Sequence, residues 1–172
     1  MTNRELLFHT DAPWLDRPPE LVGLLCLQAA QAGGASRFLS LVTVHDRLRR
    51  RHPELLSRLS RPFPWDRQAE HAPGDATVAW QPVFQESQHG LIGRCNEALI
   101  QTGADLAGVA LDPEGTEALA VMRATLDDPE LWVELTIERG QIQYLNNRHF
   151  AHSRTAFRDA EEPSRKRHLL RL

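Results

Sequence analysis

The segment from Gly140 to Leu172 constrains the fold more than any other part of the chain. Residues 141–146 alternate polar and apolar side chains directly after the turn signal Arg139-Gly140, which predicts a strand pair with one buried face. After a polar loop that contains Pro163, the chain closes on the apolar segment 168–172, which predicts another strand. This pattern favours a sheet in which polar side chains lie at the ends of strands.

Some of these side chains are suited to a ligand site. His152 follows the predicted strand pair, and Arg167 and Arg171 lie four residues apart at the closing strand. The prediction is that neighbouring strands deliver a metal-binding imidazole and a guanidinium for the carboxylate of a molecule bound beside it.

A second half-site lies at the other end of the chain, in His9-Thr10-Asp11. Side chains two residues apart on an extended strand end point to the same side and can share one ion. Two neutral imidazoles and one carboxylate on one face of a metal are the ligand set of non-haem Fe(II) oxygenases. His152 is the candidate third ligand for such a centre, but H-x-D by itself is a common tripeptide that is also typical of a surface turn.

Composition places the chain among soluble single domains. It has 172 residues, 41% hydrophobic and 25% charged, with a net charge of −3 that gives no general attraction to nucleic acid. No apolar run approaches the roughly 20 residues of a membrane span, so no membrane association is predicted. The two cysteines, Cys26 and Cys95, require no disulfide, and a cytoplasmic location is the simplest expectation.

Short strands dominate the first part of the chain. A strand is predicted over 5–8, and a strand buried on both faces over 21–30. The pair Gly33-Gly34 predicts a tight turn from this strand into a return strand over 37–41.

Fewer helices are predicted. Two short helices separated by Pro53 begin at a predicted N-cap, Thr43, and a further helix starts at Asp112-Pro113. Residues 61–77 are rich in proline and charge and predict a long loop that covers a site. Many strands with few helices favour a mainly β fold with flanking helices, a barrel or sandwich rather than an alternating βαβ fold.

Several segments, in this order, resemble the taurine dioxygenase and clavaminate synthase-like family of Fe(II)- and 2-oxoglutarate-dependent oxygenases. The resembling segments are FHTDAP (8–13), LLCLQAAQAGGAS (24–36), RRHPELLSRL (50–59), PFPWDRQAE (62–70), QPVF (81–84), GQIQYLNN (140–147), HSRTAF (152–157) and RKRHLLRL (165–172). The most specific is HSRTAF followed by two arginines four apart. The resemblance implies a distorted double-stranded β-helix, the jelly-roll of cupin-like proteins.

The resemblance also implies roles for individual residues. His9, Asp11 and His152 are expected to be the catalytic iron ligands. Arg167 is expected to pair with the distal carboxylate of the co-substrate 2-oxoglutarate, in a bidentate geometry that Lys could not copy. Ser36 is expected to place a hydroxyl on the same co-substrate. The remaining arginine, at position 171, is expected to reach an anionic group on the primary substrate.

The implied activity is that of a dioxygenase. Fe(II), 2-oxoglutarate and O2 together oxidise a C–H bond of a small, anionic organic substrate, usually by hydroxylation, with release of succinate and CO2. The protein supplies the ligand geometry, the arginine clamp and a closed, dry pocket.

The chain also departs from the family pattern. Family members carry substantial sequence before H-x-D, so residues 1–172 are expected to form a single oxygenase domain that lacks the usual N-terminal strands. An incomplete jelly-roll has open sheet edges, which allow association into a homo-oligomer. His149 is a rival to His152 as a ligand, although only His152 lies within HSRTAF.

Two other functions stay open at this point. One is a non-catalytic remnant or interaction module of the same fold. The other is a hydrolytic Zn²⁺ site on His9, Asp11 and His152, in which Arg167 would have no role.

Overall fold

A computed structural model describes residues 3–88 and 90–172, and strands account for most of its regular elements. The strands are β1 (Leu6–His9), β2 (Leu21–Gln28), β3 (Ala32–Gly33), β4 (Ser36–Ser40), β5 (Pro62–Asp66), β6 (Val78–Pro82), β7 (Phe84–Ser87), β8 (Gly90–Gly93), β9 (Trp132–Leu135), β10 (Ile142–Asn146), β11 (Phe150–Arg154), β12 (Phe157–Arg158) and β13 (His168–Arg171). The α-helices are α1 (Leu41–Arg51), α2 (Pro53–Leu59), α3 (Glu97–Ala107) and α4 (Pro113–Leu126). This confirms the mainly β prediction with flanking helices.

The larger sheet has four antiparallel strands in the order β1-β11-β4-β9. His152, in the middle of β11, lies opposite His9 on one side and opposite Phe38 on the other. Directly opposed residues of an antiparallel sheet share a face, so the two histidines project together. The neighbours of His152 on the other face include Ala151, which is fully buried in the core.

The smaller main sheet has the order β10-β2-β13, also antiparallel. Its central strand carries Val22 and Cys26, which are buried, while Leu21 and Leu27 are exposed on the opposite face. This two-faced pattern differs from the prediction of a strand buried on both sides. Arg171 of β13 lies opposite Leu24, and alternation therefore puts its side chain on the same face as Val22 and Cys26.

Two predicted hairpins are wrong. Strands β2 and β4 do not pair with each other, because Gly33 belongs to a separate short pairing of β3 with β12. Gly33 has φ +73°, and a Cβ there would lie 2.3 Å from the carbonyl oxygen of Ala156, so only glycine allows the two backbones to approach. Likewise β10 joins the smaller sheet while β11 joins the larger one, so they form no strand pair. For the same reason β11 and β13, which carry His152 and Arg171, are not neighbouring strands.

The helices pack beneath the larger sheet and form most of the core. The break between α1 and α2 at Pro53 is confirmed, but the N-cap of α1 is Ser40 and not Thr43. The hydroxyl of Ser40 accepts the backbone N–H of Thr43, so Thr43 is the third residue of the helix rather than its cap. Asp112 caps α4 as predicted, by accepting the N–H of Gly115 at 2.8 Å.

The segment predicted as a covering loop contains a buried strand. Strand β5 pairs with β6 and carries Phe63 and Trp65, both fully buried. The indole N–H of Trp65 donates to the carbonyl of Gln81 at 2.8 Å. Aromatic packing therefore overrides the proline-rich composition of residues 62–66, and the loop prediction is wrong there.

Among the residues that the structure describes, no helix has the length and apolar character needed to cross a bilayer.

Candidate metal centre

The chain folds so that its two half-sites meet at one end of the larger sheet. His9 is the last residue of β1, and Asp11 follows two residues later at a bend. Thr10 points the other way into the core, where its hydroxyl accepts the N–H of Cys95 at 3.0 Å and its own N–H donates to the Cys95 carbonyl at 2.7 Å. His152 comes from the adjacent strand β11.

Three side chains converge on one point. The Nε2 atom of His9 lies 3.8 Å from Oδ1 of Asp11, and Nε2 of His152 lies 4.0 Å from the same oxygen. One ligand atom from each residue fits within 4.8 Å of the other two. The imidazole rings are 4.2 Å apart between centroids and inclined by 48°. Such a spacing lets three atoms share one ion.

The hydrogen bonding of His9 and the protonation of His152 suit metal binding. Nδ1 of His9 lies 2.9 Å from the carbonyl oxygen of Leu7, which can only accept a hydrogen bond, so Nδ1 carries a hydrogen and Nε2 is the nitrogen that faces the cluster. Burial lowers the pKa of His152 to about 4, with His9 and Arg171 acting in the same direction and Asp11 opposing them. His152 is therefore neutral at physiological pH, the form that ligates metals. Its Nδ1 is buried without a hydrogen-bond partner among the described residues.

Arg171 reaches this centre from the smaller sheet. Its Nη2 pairs with Oδ2 of Asp11, the carboxylate oxygen that does not face the imidazoles. The Arg171 side chain is 63% exposed, so its guanidinium is also open to solvent.

Arg167 lies directly before β13. Its guanidinium carbon is 5.2 Å from the ring centroid of Phe157, and its Nε lies 3.4 Å from the position that a Cβ on Gly34 would occupy. Burial lowers the pKa of Arg167, and nearby Arg154 adds to this effect. Within residues 3–88 and 90–172, no carboxylate forms an ion pair with Arg167, so its charge is available to an anion.

Ser36 begins β4 and is buried. It lies opposite Arg154 of β11 and two residues from Phe38, the partner of His152. Alternation puts Ser36 on the same face of the sheet as His9 and His152.

Other candidate side chains lie elsewhere. His149 is not part of the cluster, and its main-chain carbonyl accepts the first N–H of α1. Trp65 packs in the core. His89, for which the sequence predicts no ligand role, lies outside the described residues.

The sequence analysis missed Asn147, which is fully buried beside the cluster. Its side-chain oxygen accepts the backbone N–H of Asp11 at 2.7 Å, and its amide nitrogen donates to the Asp11 carbonyl at 3.0 Å. The only local signal is a polar pair, Asn146-Asn147, at the end of a predicted strand. Nothing in one sequence distinguishes such a pair from a turn.

The whole chain, residues 1–172, matches the model of a single protein family, described as "Taurine catabolism dioxygenase TauD, TfdA family". The chain belongs to this family. The family predicted from the sequence segments is therefore confirmed. The cluster of His9, Asp11 and His152 agrees with this assignment.

Two curated relatives show how much of a family member the chain represents. It is 29% identical to FR-33289 synthase of Streptomyces rubellomurinus over 177 aligned residues, which cover 99% of this chain and 50% of the relative. It is 34% identical over 152 residues to uridine-5'-phosphate dioxygenase of a Streptomyces species, covering 86% of this chain and 53% of that protein. The chain thus spans about half the length of these TauD-family relatives.

Solved structures agree on the fold. Asparagine oxygenase in complex with Fe(II), 2S,3S-3-hydroxyasparagine and succinate superposes with a TM-score of 0.74 at 21% identity, over 98% of this chain and 49% of the other. The non-heme iron oxygenase OrfP, in complex with iron and α-ketoglutaric acid, gives a TM-score of 0.70 at 14% identity, over 99% of this chain and 49% of the other. The predicted cupin-like jelly-roll of the TauD family is confirmed.

Proposed function

We propose that this chain binds Fe(II) and 2-oxoglutarate and oxidises a C–H bond of a small organic substrate that carries an anionic group. The observation that supports this most directly is the convergence of two imidazoles and one carboxylate, on the face of the sheet toward which Arg171 also projects. Family membership agrees with it. We further propose that residues 1–172 act as one oxygenase domain.

The donor set fits a divalent iron ion. His9 and His152 would each present Nε2 to the ion, and Asp11 would present Oδ1. When bound, the iron would supply the redox chemistry with O2 and 2-oxoglutarate that ends in succinate, CO2 and an oxidised substrate. Zn²⁺ hydrolysis is a weaker candidate because it leaves the partly buried guanidinium of Arg167 without a function.

Each remaining residue would contribute binding or orientation. The guanidinium of Arg167 would hold the distal carboxylate of 2-oxoglutarate, since it lies against the ring of Phe157 and forms no ion pair with a carboxylate of the described residues. Partial burial strengthens such a charge-assisted pair. Ser36, on the same face as His152, would donate a hydrogen bond from its hydroxyl to the same co-substrate.

The class of substrate is inferred from Arg171. This guanidinium pairs with Asp11 and remains exposed, so a carboxylate or phosphate on a substrate can compete for it directly beside the metal ligands. Two of the similar proteins have names that involve molecules with such groups, uridine 5'-phosphate and hydroxyasparagine. We therefore propose an amino acid, nucleotide or similar small anion.

A second candidate function, a non-catalytic interaction module, is favoured by one observation. Strand β9 forms an edge of the larger sheet and exposes Val133 by 63% and Leu135 by 45%. An apolar sheet edge of this kind is a site for pairing with another polypeptide, or with another copy in a homo-oligomer.

One titration separates the two functions. Fe(II) and then 2-oxoglutarate are added to the purified protein without oxygen, and the visible charge-transfer absorption of the iron–2-oxoglutarate chelate is followed. The oxygenase proposal predicts the band and predicts that Asp11→Ala abolishes both the band and succinate formation. A folded protein without the band, or an Asp11→Ala variant that still forms succinate, would contradict the oxygenase proposal.

A further inference from the structure

Asp11 is the one member of the cluster that lies outside regular secondary structure. Strand β1 ends at His9, and Ala12 has φ +48°, in the left-handed region that residues other than glycine rarely adopt. The chain therefore turns sharply directly after Asp11. Arg171 contacts the Asp11 carboxylate, but no sheet ladder fixes the Asp11 backbone that carries it, so other contacts must do so.

Asn147 makes those contacts. Its Oδ1 accepts the Asp11 N–H at 2.7 Å and its Nδ2 donates to the Asp11 carbonyl at 3.0 Å, so one side chain satisfies both polar groups of the Asp11 backbone. The side chain is fully buried, where each unsatisfied group would carry a large desolvation cost.

The same residue also closes the loop that follows Asp11. Nδ2 of Asn147 donates a second hydrogen bond to the carbonyl of Pro19 at 3.1 Å, and its main-chain N–H donates to Glu20 at 2.8 Å. The two ends of loop 12–19 are thereby tied to one point on the loop between β10 and β11. This tie holds Ala12 in its unfavourable conformation, because the loop cannot relax without breaking buried hydrogen bonds.

The Asn147 side chain has one acceptor oxygen and an NH2 group with two hydrogens to donate. Its hydrogen bonds to Asp11 and Pro19 use the oxygen and both hydrogens. Asp cannot donate to the two carbonyls when ionised, and Ala removes every contact. Arg148 ties the same loop, through Nε to the carbonyl of Pro18 at 3.0 Å, without contacting Asp11. It provides a matched comparison.

We infer that Asn147 is a positioning residue that holds the Asp11 carboxylate in place for the metal, and that the metal affinity of the chain depends on it. The inference rests on the proposed function, because it concerns the same Fe(II) site. It differs from that proposal in assigning a role to a residue that contacts neither the metal nor any substrate. Loss of a group that orients a metal ligand lowers metal affinity by about 10- to 100-fold.

The test is anaerobic calorimetric titration of the full chain with Fe(II) alone, in the wild type and in Asn147→Ala and Arg148→Ala variants. Asn147→Ala is expected to weaken Fe(II) binding by about 10-fold or more. Arg148→Ala loosens the same loop but keeps the hydrogen bonds between Asn147 and Asp11. Its Fe(II) affinity is therefore expected to stay within about threefold of the wild type. Equal affinities for Asn147→Ala and wild type in folded samples would overturn the inference, and so would an equal loss in both variants, which would mean general loop damage.

If Asn147→Ala does not fold, Asn147→Asp provides the test, because Asp has the same size as Asn and keeps an acceptor oxygen for the Asp11 N–H. An added negative charge near a cation site would by itself tighten Fe(II) binding. The positioning role predicts the opposite, a loss of about threefold or more, because both donated hydrogen bonds to carbonyls disappear. Tighter binding by Asn147→Asp would overturn the inference. Absence of Fe(II) binding in the wild type would instead reject the proposed function, so the two failures are distinguishable.

Discussion

His9 and His152 lie directly opposite each other across the β1–β11 pair, and their ring centroids are 4.2 Å apart. This register brings together two imidazoles from opposite ends of the chain. A slip of one residue would turn one of them to the other face of the sheet. The candidate metal centre therefore depends on strand pairing as much as on the identity of its residues.

Replacement of one of these histidines should remove the metal centre without unfolding the protein. His152→Ala is expected to weaken Fe(II) binding by at least about 100-fold, since a direct ligand contributes more than an outer partner. The control is His168→Ala, because His168 is exposed and outside the cluster. Calorimetry with Fe(II) measures both, and similar losses in the two variants would contradict the assignment of His152.

The two arginines at the closing strand should act differently. Arg167→Ala is expected to abolish the charge-transfer band at 2-oxoglutarate concentrations that saturate the wild type, because it removes the cation proposed for the distal carboxylate. Arg171→Ala is expected to keep the band, since Arg171 pairs with Asp11 and is proposed to contact the substrate. Visible absorption titrations distinguish them, and a band lost only in Arg171→Ala would reverse the two roles.

Arg171 should contribute little to stability. The Arg171 side chain in its ion pair with Asp11 is mostly exposed. Exposed ion pairs contribute about 0–1 kcal/mol to the free energy of unfolding. Arg171→Ala is expected to change the free energy of unfolding in urea by less than about 1 kcal/mol. A loss of several kcal/mol would indicate that Arg171 holds the two sheets together rather than serving a ligand.

A structural ion pair remote from the metal centre should control acid stability. Arg58 is buried, stacks on Phe63 at 4.0 Å, and donates to Asp112, which also caps α4. The hydrogen bond from Arg58, followed by that from the Gly115 N–H, lowers the pKa of Asp112 to about 2. Because the folded pKa is depressed, the stabilisation is complete above the unfolded value of about 4 and is lost as the pH falls toward 2.

Two variants of Asp112 separate its charge from its cap. Asp112→Ala is expected to cost about 3 kcal/mol, because it removes the N-cap and leaves a buried guanidinium unpaired. Asp112→Asn keeps an acceptor for the Gly115 N–H and should cost less. Both should flatten the pH dependence of the unfolding free energy between pH 4 and 2, and an unchanged slope would show that other carboxyl groups are responsible.

Gly103 marks the closest approach of α3 to β5. A Cβ there would lie 2.5 Å from the carbonyl oxygen of Pro64 and 2.7 Å from the backbone nitrogen of Asp66. Gly103→Ala should therefore destabilise the protein by about 1–3 kcal/mol, although alanine is the better helix former by about 1 kcal/mol. Gly108→Ala is the comparison, with a left-handed φ of +66° but open space around it. Thermal unfolding of both measures the difference, and a stabilised Gly103→Ala would contradict the close packing.

Local patterns predicted the helix break at Pro53 and the helix that begins at Asp112-Pro113, because proline geometry and N-capping act over a few residues. The spacing of His9 and Asp11 predicted their common side for the same reason. Residues 62–66 were predicted incorrectly, since the burial of Trp65 depends on a partner strand and a helix that local composition does not reveal.

The sequence by itself determined the residue types of the candidate site, the strand-rich class and, through HSRTAF and its two arginines, the family. Only the tertiary structure decided which strands pair, that Arg171 meets Asp11 from the second sheet, and that Asn147 holds the Asp11 backbone. These contacts join residues more than a hundred positions apart. Their hydrogen bonds leave no periodic or local signal in a single chain, because they form only when both sheets are in place.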